Sequence, residues 1–217
     1  MPVLTLANSK GGCGKTTTGR MMAALLAMEG ADFAVIDADP NRALHRWLAN
    51  LYEGSEIIHK AEENEDRLAH LIAEMRERHA LVLVDTAGFE NLGSSVAIAS
   101  ADAVLIPCMS SEADLFETRR TAEKVRSLSV TTRRKIPAYV VMNGIRATSV
   151  SAYAAQQVQE AGLQMLKTTF GRRADFEAMT LTGKTPRTGE AWRETMKLLR
   201  EMRSLGVMPE ARERVGA

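Results

Sequence analysis

Residues 10–17 read KGGCGKTT, directly after an apolar run at 3–7 and at the start of a helix-like stretch at 16–29. Strand, glycine loop and helix in that order make a phosphate-binding loop. Gly11, Gly12 and Gly14 let the backbone curl without Cβ clashes, so that successive N–H groups, that of Cys13 among them, converge on a polyphosphate. The dipole of the following helix favours the same negative charge. Lys15 is then placed to reach the β- and γ-phosphates, Thr16 to offer its hydroxyl to Mg²⁺, and Thr17 to hydrogen-bond the α-phosphate. The ordinary G-x-x-x-x-G-K-[ST] pattern has glycine where this chain has Ser9, and a second lysine, Lys10, opens the loop.

Carboxylates end two further apolar runs, in Asp37-Ala38-Asp39-Pro40-Asn41 and in Asp85-Thr86-Ala87-Gly88. Mg²⁺ keeps several waters and takes few carboxylates, so Asp37 and Asp85 suit outer-sphere positions beside a direct contact from Thr16. Asp39 is a candidate to orient or deprotonate an attacking water, since phosphoryl transfer asks chiefly for positioning and charge neutralisation. An aspartate after a strand also caps turns, as Asp39 before Pro40 can.

These groups need a frame. Apolar runs at 3–7, 33–36, 81–84, 103–106, 138–142 and, more weakly, 165–169 alternate with helical spacing at 42–52, 66–78, 113–129, 150–161 and 191–205. Runs apolar on both faces and separated by helices predict a doubly wound α/β fold with a mostly parallel sheet, and one domain over 1–217. Such a sheet binds ligands beyond the C-terminal ends of its strands, where the motifs fall. The acidic stretch 52–66 reads as an exposed loop.

With 217 residues, 45% apolar and 25% charged, the composition is that of a soluble globular domain. The longest strongly apolar stretch, 21–28, is far short of the ~20 residues of a membrane span, which places the chain in the cytoplasm. Two cysteines, Cys13 and Cys108, without ligand spacing, support neither a disulfide framework nor a zinc site. Trp47, Trp192, Met21, Met22 and Met28 read as core packing, and His45, His59, His70 and His79 share no metal spacing. Residues 1–110 carry 9 Lys and Arg against 15 Asp and Glu, whereas 111–217 carry 19 against 12. Within that basic half, Arg172, Arg173, Lys184 and Arg187 flank a short helix-like piece, and Arg193, Lys197 and Arg200 share one helical face, with Glu190, Glu194 and Glu201 among them. Such a stripe is a solvated face or a non-specific DNA surface; no groove-reading motif accompanies it.

KGGCGKTT, the D-x-D-P of 37–40, the VLVDTAG of 82–88 and the overall span resemble the ParA/MinD ATPases, especially small ParA-type partition proteins. The resemblance implies that Lys10 is the signature lysine, crossing the interface of an ATP-bound sandwich dimer to touch the partner's nucleotide. It implies ATP and Mg²⁺ as cofactors, an ATP-dependent homodimer on non-specific DNA, a nucleoid location, and a ParB-like or cargo-adaptor protein that stimulates slow hydrolysis. Arg172 and Arg173 match DNA-contacting positions, and Asn143 matches the adenine-contacting position, although an Asn there also closes turns. Arg146, a donor where guanine-specific proteins carry a carboxylate, disfavours GTP. Asn41 and Ala87 depart from the common Gln and Pro of the family. The stretch 39–47 is also similar to VirC-type ATPases that assist conjugative DNA transfer. A MinD-like membrane switch needs an amphipathic C-terminal helix, which GVMPEARERVGA at 206–217 does not offer. An iron–sulfur reductase would need two free cysteines per chain beyond the phosphate loop, and a ligase a small-molecule pocket.

Overall fold

A computed structural model describes residues 1–88, 91–146 and 148–210. In chain order the elements are β1 (Val3–Leu6), α1 (Lys15–Met28), β2 (Ala34–Asp37), α2 (Ala43–Asn50), β3 (Ile58–Ala61), α3 (Glu65–Arg78), β4 (Val82–Asp85) and α4 (Leu92–Ser100). There follow β5 (Ala103–Cys108), α5 (Glu112–Thr132), β6 (Ala138–Ile145), α6 (Ser149–Glu160), β7 (Gln164–Gly171), α7 (Ala174–Thr182) and α8 (Gly189–Ser204). Seven strands form one sheet in the order β3-β2-β4-β1-β5-β6-β7, and every pairing is parallel. The expected doubly wound α/β fold is therefore present.

Alternate strand residues feed opposite cores, as period-2 geometry requires. Leu4, Leu6, Val35, Leu83 and Leu105 pack with Met21, Leu25, Trp47 and Leu198 under α1, α2 and α8. Val3, Ile36, Val82 and Val84 face Leu68, Ile72 and Met75 of α3 on the other side. Burying each such side chain contributes about 1.5–3 kcal/mol, which is why these runs are readable as strands. Trp47 is 1% exposed, while Trp192 and Met28 are only half-buried.

One expectation needs correction. The stretch 52–66 is not simply a loop, because Ile58–Ala61 adds a parallel edge strand to β2 and Glu65 opens α3. Asp85 consequently ends the fourth strand and Asn143 lies in the sixth. The same edge strand brings His59 to His45, and their Nδ1 atoms lie 2.9 Å apart across α2 and β3. The helix at 92–100 is absent from the sequence reading, because LGSSVAIAS has too few large apolar residues to set a helical stripe. Asn91 caps that helix by accepting from Ser94 N at 2.7 Å.

Candidate nucleotide site

The site follows from strand order. β4 lies between β2 and β1, so Asp37 stands level with Asp85, and Asp85 with Leu6, just before the phosphate loop. The two carboxylates and the loop thus meet at the C-terminal edge of the sheet, the position a parallel α/β sheet reserves for ligands.

Gly14 caps α1 in the left-handed region at φ 98°, and a Cβ there would sit 1.9 Å from Asn143 Nδ2. Asn143 uses that space to donate to Cys13 O at 2.7 Å, which ties β6 to the loop. Its side chain also lines a small cleft with Thr17, Phe170 and Phe176, the last two in edge-to-face contact. The sequence singled out neither phenylalanine, since their meeting depends on α7 folding back after β7. On the other flank the loop after β4 closes tightly: a Cβ on Gly88 would come within 2.8 Å of Gly11 Cα.

Lys15 is buried, and its ammonium donates to Asn8 O at 2.9 Å and Lys10 O at 3.1 Å. Lys10 is half-exposed, and its ammonium forms no hydrogen bond or ion pair with the described residues. Cys13 is fully buried, and burial pushes its thiol up, against the pull of Lys15. Cys108, also buried, is pushed up to about 11. The oxidation sensitivity that a thiol beside phosphate invites is opposed by that burial.

Thr16 Oγ1 donates to Asp85 Oδ2 at 2.7 Å, while Asp85 Oδ1 is buried with no partner among the described residues. Desolvation, and the nearby Asp37 charge after it, push the Asp85 carboxyl up to about 7. Asp37 is also raised, chiefly by burial, although its oxygens accept from Asp39 N at 3.0 Å and His45 N at 2.9 Å. A half-buried hydroxyl beside two buried carboxylates, one with an orphaned oxygen, fits a hard divalent cation such as Mg²⁺. Asp39 Oδ1 accepts from Asn41 N and Nδ2 at 2.8 and 3.0 Å, an Asx turn that fixes the half-buried carboxylate.

The basic candidates lie elsewhere. Arg172, Lys184, Arg187, Arg193, Lys197 and Arg200 are all exposed. Arg173 instead pairs at 2.6 Å with the nearly buried Glu194, which also accepts from Gly171 N. Glu201 likewise turns inward and accepts from Lys167 N and Thr168 N on the β7 edge. Only Glu190, paired with Arg193, stays on the outer face of α8. Among the described residues no helix is long and apolar enough to cross a membrane, and most of the C-terminal tail lies outside them.

The chain is 30% identical over 184 residues to Protein ParA of Rhizobium radiobacter, covering 82% of each chain. It is 30% identical to Protein virC1 of Rhizobium rhizogenes over 190 residues, 84% of this chain and 82% of that one. The solved Cyanothece McdA(D38A)–ATP complex superposes with a TM-score of 0.77 at 19% identity, covering 97% of this chain and 98% of that one, a likeness of fold. The family model described as VirC1 protein matches residues 1–201. The chain therefore belongs to the VirC1 family, within the wider ParA/MinD group that its phosphate loop and aspartates resemble.

Proposed function

We propose that this chain is an ATPase that closes into an ATP-dependent sandwich dimer, binds DNA non-specifically and drives segregation or positioning of a plasmid or other cargo. A ParB-like or cargo-adaptor protein stimulates its slow hydrolysis, and the ADP-bound monomer lets go of the cytoplasmic nucleoid. One domain, 1–217, carries the cycle. The observation behind the reading is the division of labour between two lysines. Lys15 is buried inside its own loop, whereas Lys10 stands half-exposed at the loop's start with no described partner. An ammonium with no partner among the described residues of its own protomer is available to a partner's phosphates.

In this reading Gly11, Gly12, Cys13 and Gly14 cradle the phosphates, Lys15 exchanges its carbonyl partners for them, and Thr17 and Asn143 border the α-phosphate and base. Thr16, Asp37 and Asp85 hold Mg²⁺, which supplies charge neutralisation when bound. Asp39 orients the attacking water, and Lys10 steadies the partner's leaving phosphate. Exposed Arg172, Lys184, Arg187, Arg193, Lys197 and Arg200 meet DNA phosphates, while Arg173 braces that surface through Glu194. The similarity to an ATP complex of Cyanothece McdA supports ATP as the nucleotide.

The family match over residues 1–201 favours a second reading of the cargo, a VirC-like role in conjugative DNA transfer. Both readings require the same dimer. Mass measurement by light scattering with Mg-ATP tests it in Asp39→Ala, in which slowed hydrolysis holds the ATP state. A dimer with ATP, a monomer with ADP, and a monomer for Asp39→Ala/Lys10→Ala are expected. A monomer throughout, with ATP bound, refutes the reading.

A further inference from the structure

We infer that Glu117 is a positioning residue for hydrolysis: through the Ser9 hydroxyl it bolts the start of the phosphate loop to α5 and so fixes where Lys10 stands. The inference rests on the ATPase reading. Ser9 is the residue that departs from the glycine of the ordinary loop pattern, and a glycine at that position has no hydroxyl to offer. Its Oγ donates to Glu117 Oε2 at 2.6 Å and lies 3.1 Å from Thr121 Oγ1, while its N–H donates to Thr121 Oγ1 at 3.2 Å. Thr121 in turn donates to Glu117 O at 2.8 Å, so one turn of α5 presents both acceptors on one face.

The neighbouring residue repeats the attachment. Asn8 Nδ2 donates to Pro107 O at 2.8 Å and to Thr118 Oγ1 at 3.1 Å, and Asn8 Oδ1 accepts from Lys10 N at 2.9 Å. Asn8, Thr118 and Thr121 are all nearly or fully buried, where hydrogen bonds are stiff and costly to break. From its other side the same short segment receives Lys15 Nζ on Asn8 O and Lys10 O. Residues 8–10 therefore lie between α5 and Lys15, and moving either shifts Lys10. The helix itself is well fixed: Ser111 and Asp114 form a capping box at its start. Arg120 stands 3.8 Å from the Glu117 carboxylate, so the acceptor is held on a second side.

The test compares wild type, Ser9→Ala, Glu117→Ala, the double variant and Glu117→Gln, reading kcat for ATP hydrolysis and affinity for a fluorescent ATP analogue. Each single alanine variant is expected to lower kcat about fivefold, the worth of one hydrogen bond, with nucleotide affinity within about twofold. The double variant is expected to lose no more than either single one, because both break the same link. Glu117→Gln, whose amide oxygen still accepts from Ser9, is expected to keep at least half of the wild-type rate. Additive losses, an affinity loss parallel to the kcat loss, unchanged rates, or a glutamine variant as poor as the alanine one would each overturn the assignment. Ser9→Ala changes one hydroxyl on a loop and guards against misfolding of the helix variant. Wild type that binds but never hydrolyses ATP sinks the ATPase reading itself, an outcome distinct from additive losses in an active enzyme.

Discussion

Asp85 carries the sharpest consequence at the scale of single residues. With its carboxyl pushed up to about 7 in the folded chain, against an ordinary value of 3.8, the native state holds a proton that the unfolded chain has already released. Between these values the folded state binds more protons, so metal-free protein loses stability as pH rises from about 4 to 7. A tenfold change in proton affinity corresponds to about 1.4 kcal/mol, so the loss amounts to a few kcal/mol. Asp85→Asn removes the titration. In thermal melts with EDTA it is expected to match wild type near pH 4 and to melt several degrees higher near pH 8, while losing Mg²⁺-dependent hydrolysis. A wild-type midpoint that does not fall over that range would mean the carboxylate is stabilised in its charged form. The buried thiols give a second expectation. Cys13 and Cys108 should resist a thiol-reactive dye near neutral pH and both react on denaturation; rapid labelling of the native chain contradicts their burial.

At the scale of elements, the loop after β4 and the phosphate loop fit only because neither carries a Cβ where they meet. Gly88→Ala puts a methyl 2.8 Å from Gly11 Cα, a backbone atom that cannot swing aside, and displaces the loop that holds Lys15. It is expected to weaken ATP-analogue binding by about tenfold or more, since misplacement by about 1 Å is that costly. Unchanged affinity would show that the two loops part freely. The same elements mark what the sequence discloses. β1, β2, β4 and β5 are buried on both faces and read as apolar runs, and the aspartates ending β2 and β4 are legible with them. β3 is not, because IHKA is an edge strand whose residues alternate exposed and half-buried and include lysine and histidine. With β3 unseen, the meeting of His45 and His59 is out of reach as well. The link between Asn143 and the loop, and the clamp on Ser9, join residues more than 100 positions apart, and only strand order brings them together.

For the whole molecule, α8 resolves an ambiguity that spacing left open. Glutamates interleave with its basic residues, yet Glu194 and Glu201 point at β7, leaving Arg193, Lys197 and Arg200 outward with Glu190 alone beside them. Lys197→Ala with Arg200→Ala is expected to weaken DNA retention for every sequence alike and to lower the salt slope by about two, one per phosphate contact. An unaltered slope would assign that face to solvent. The most direct measurement of the switch is retention on non-specific duplex DNA at low salt with ATP, with ADP and without nucleotide, for wild type and Lys10→Ala. Retention with ATP alone, abolished in Lys10→Ala while ATP still binds, is the predicted result. Equal retention in all three states, or none with ATP bound, would contradict an ATP-switched dimer on DNA.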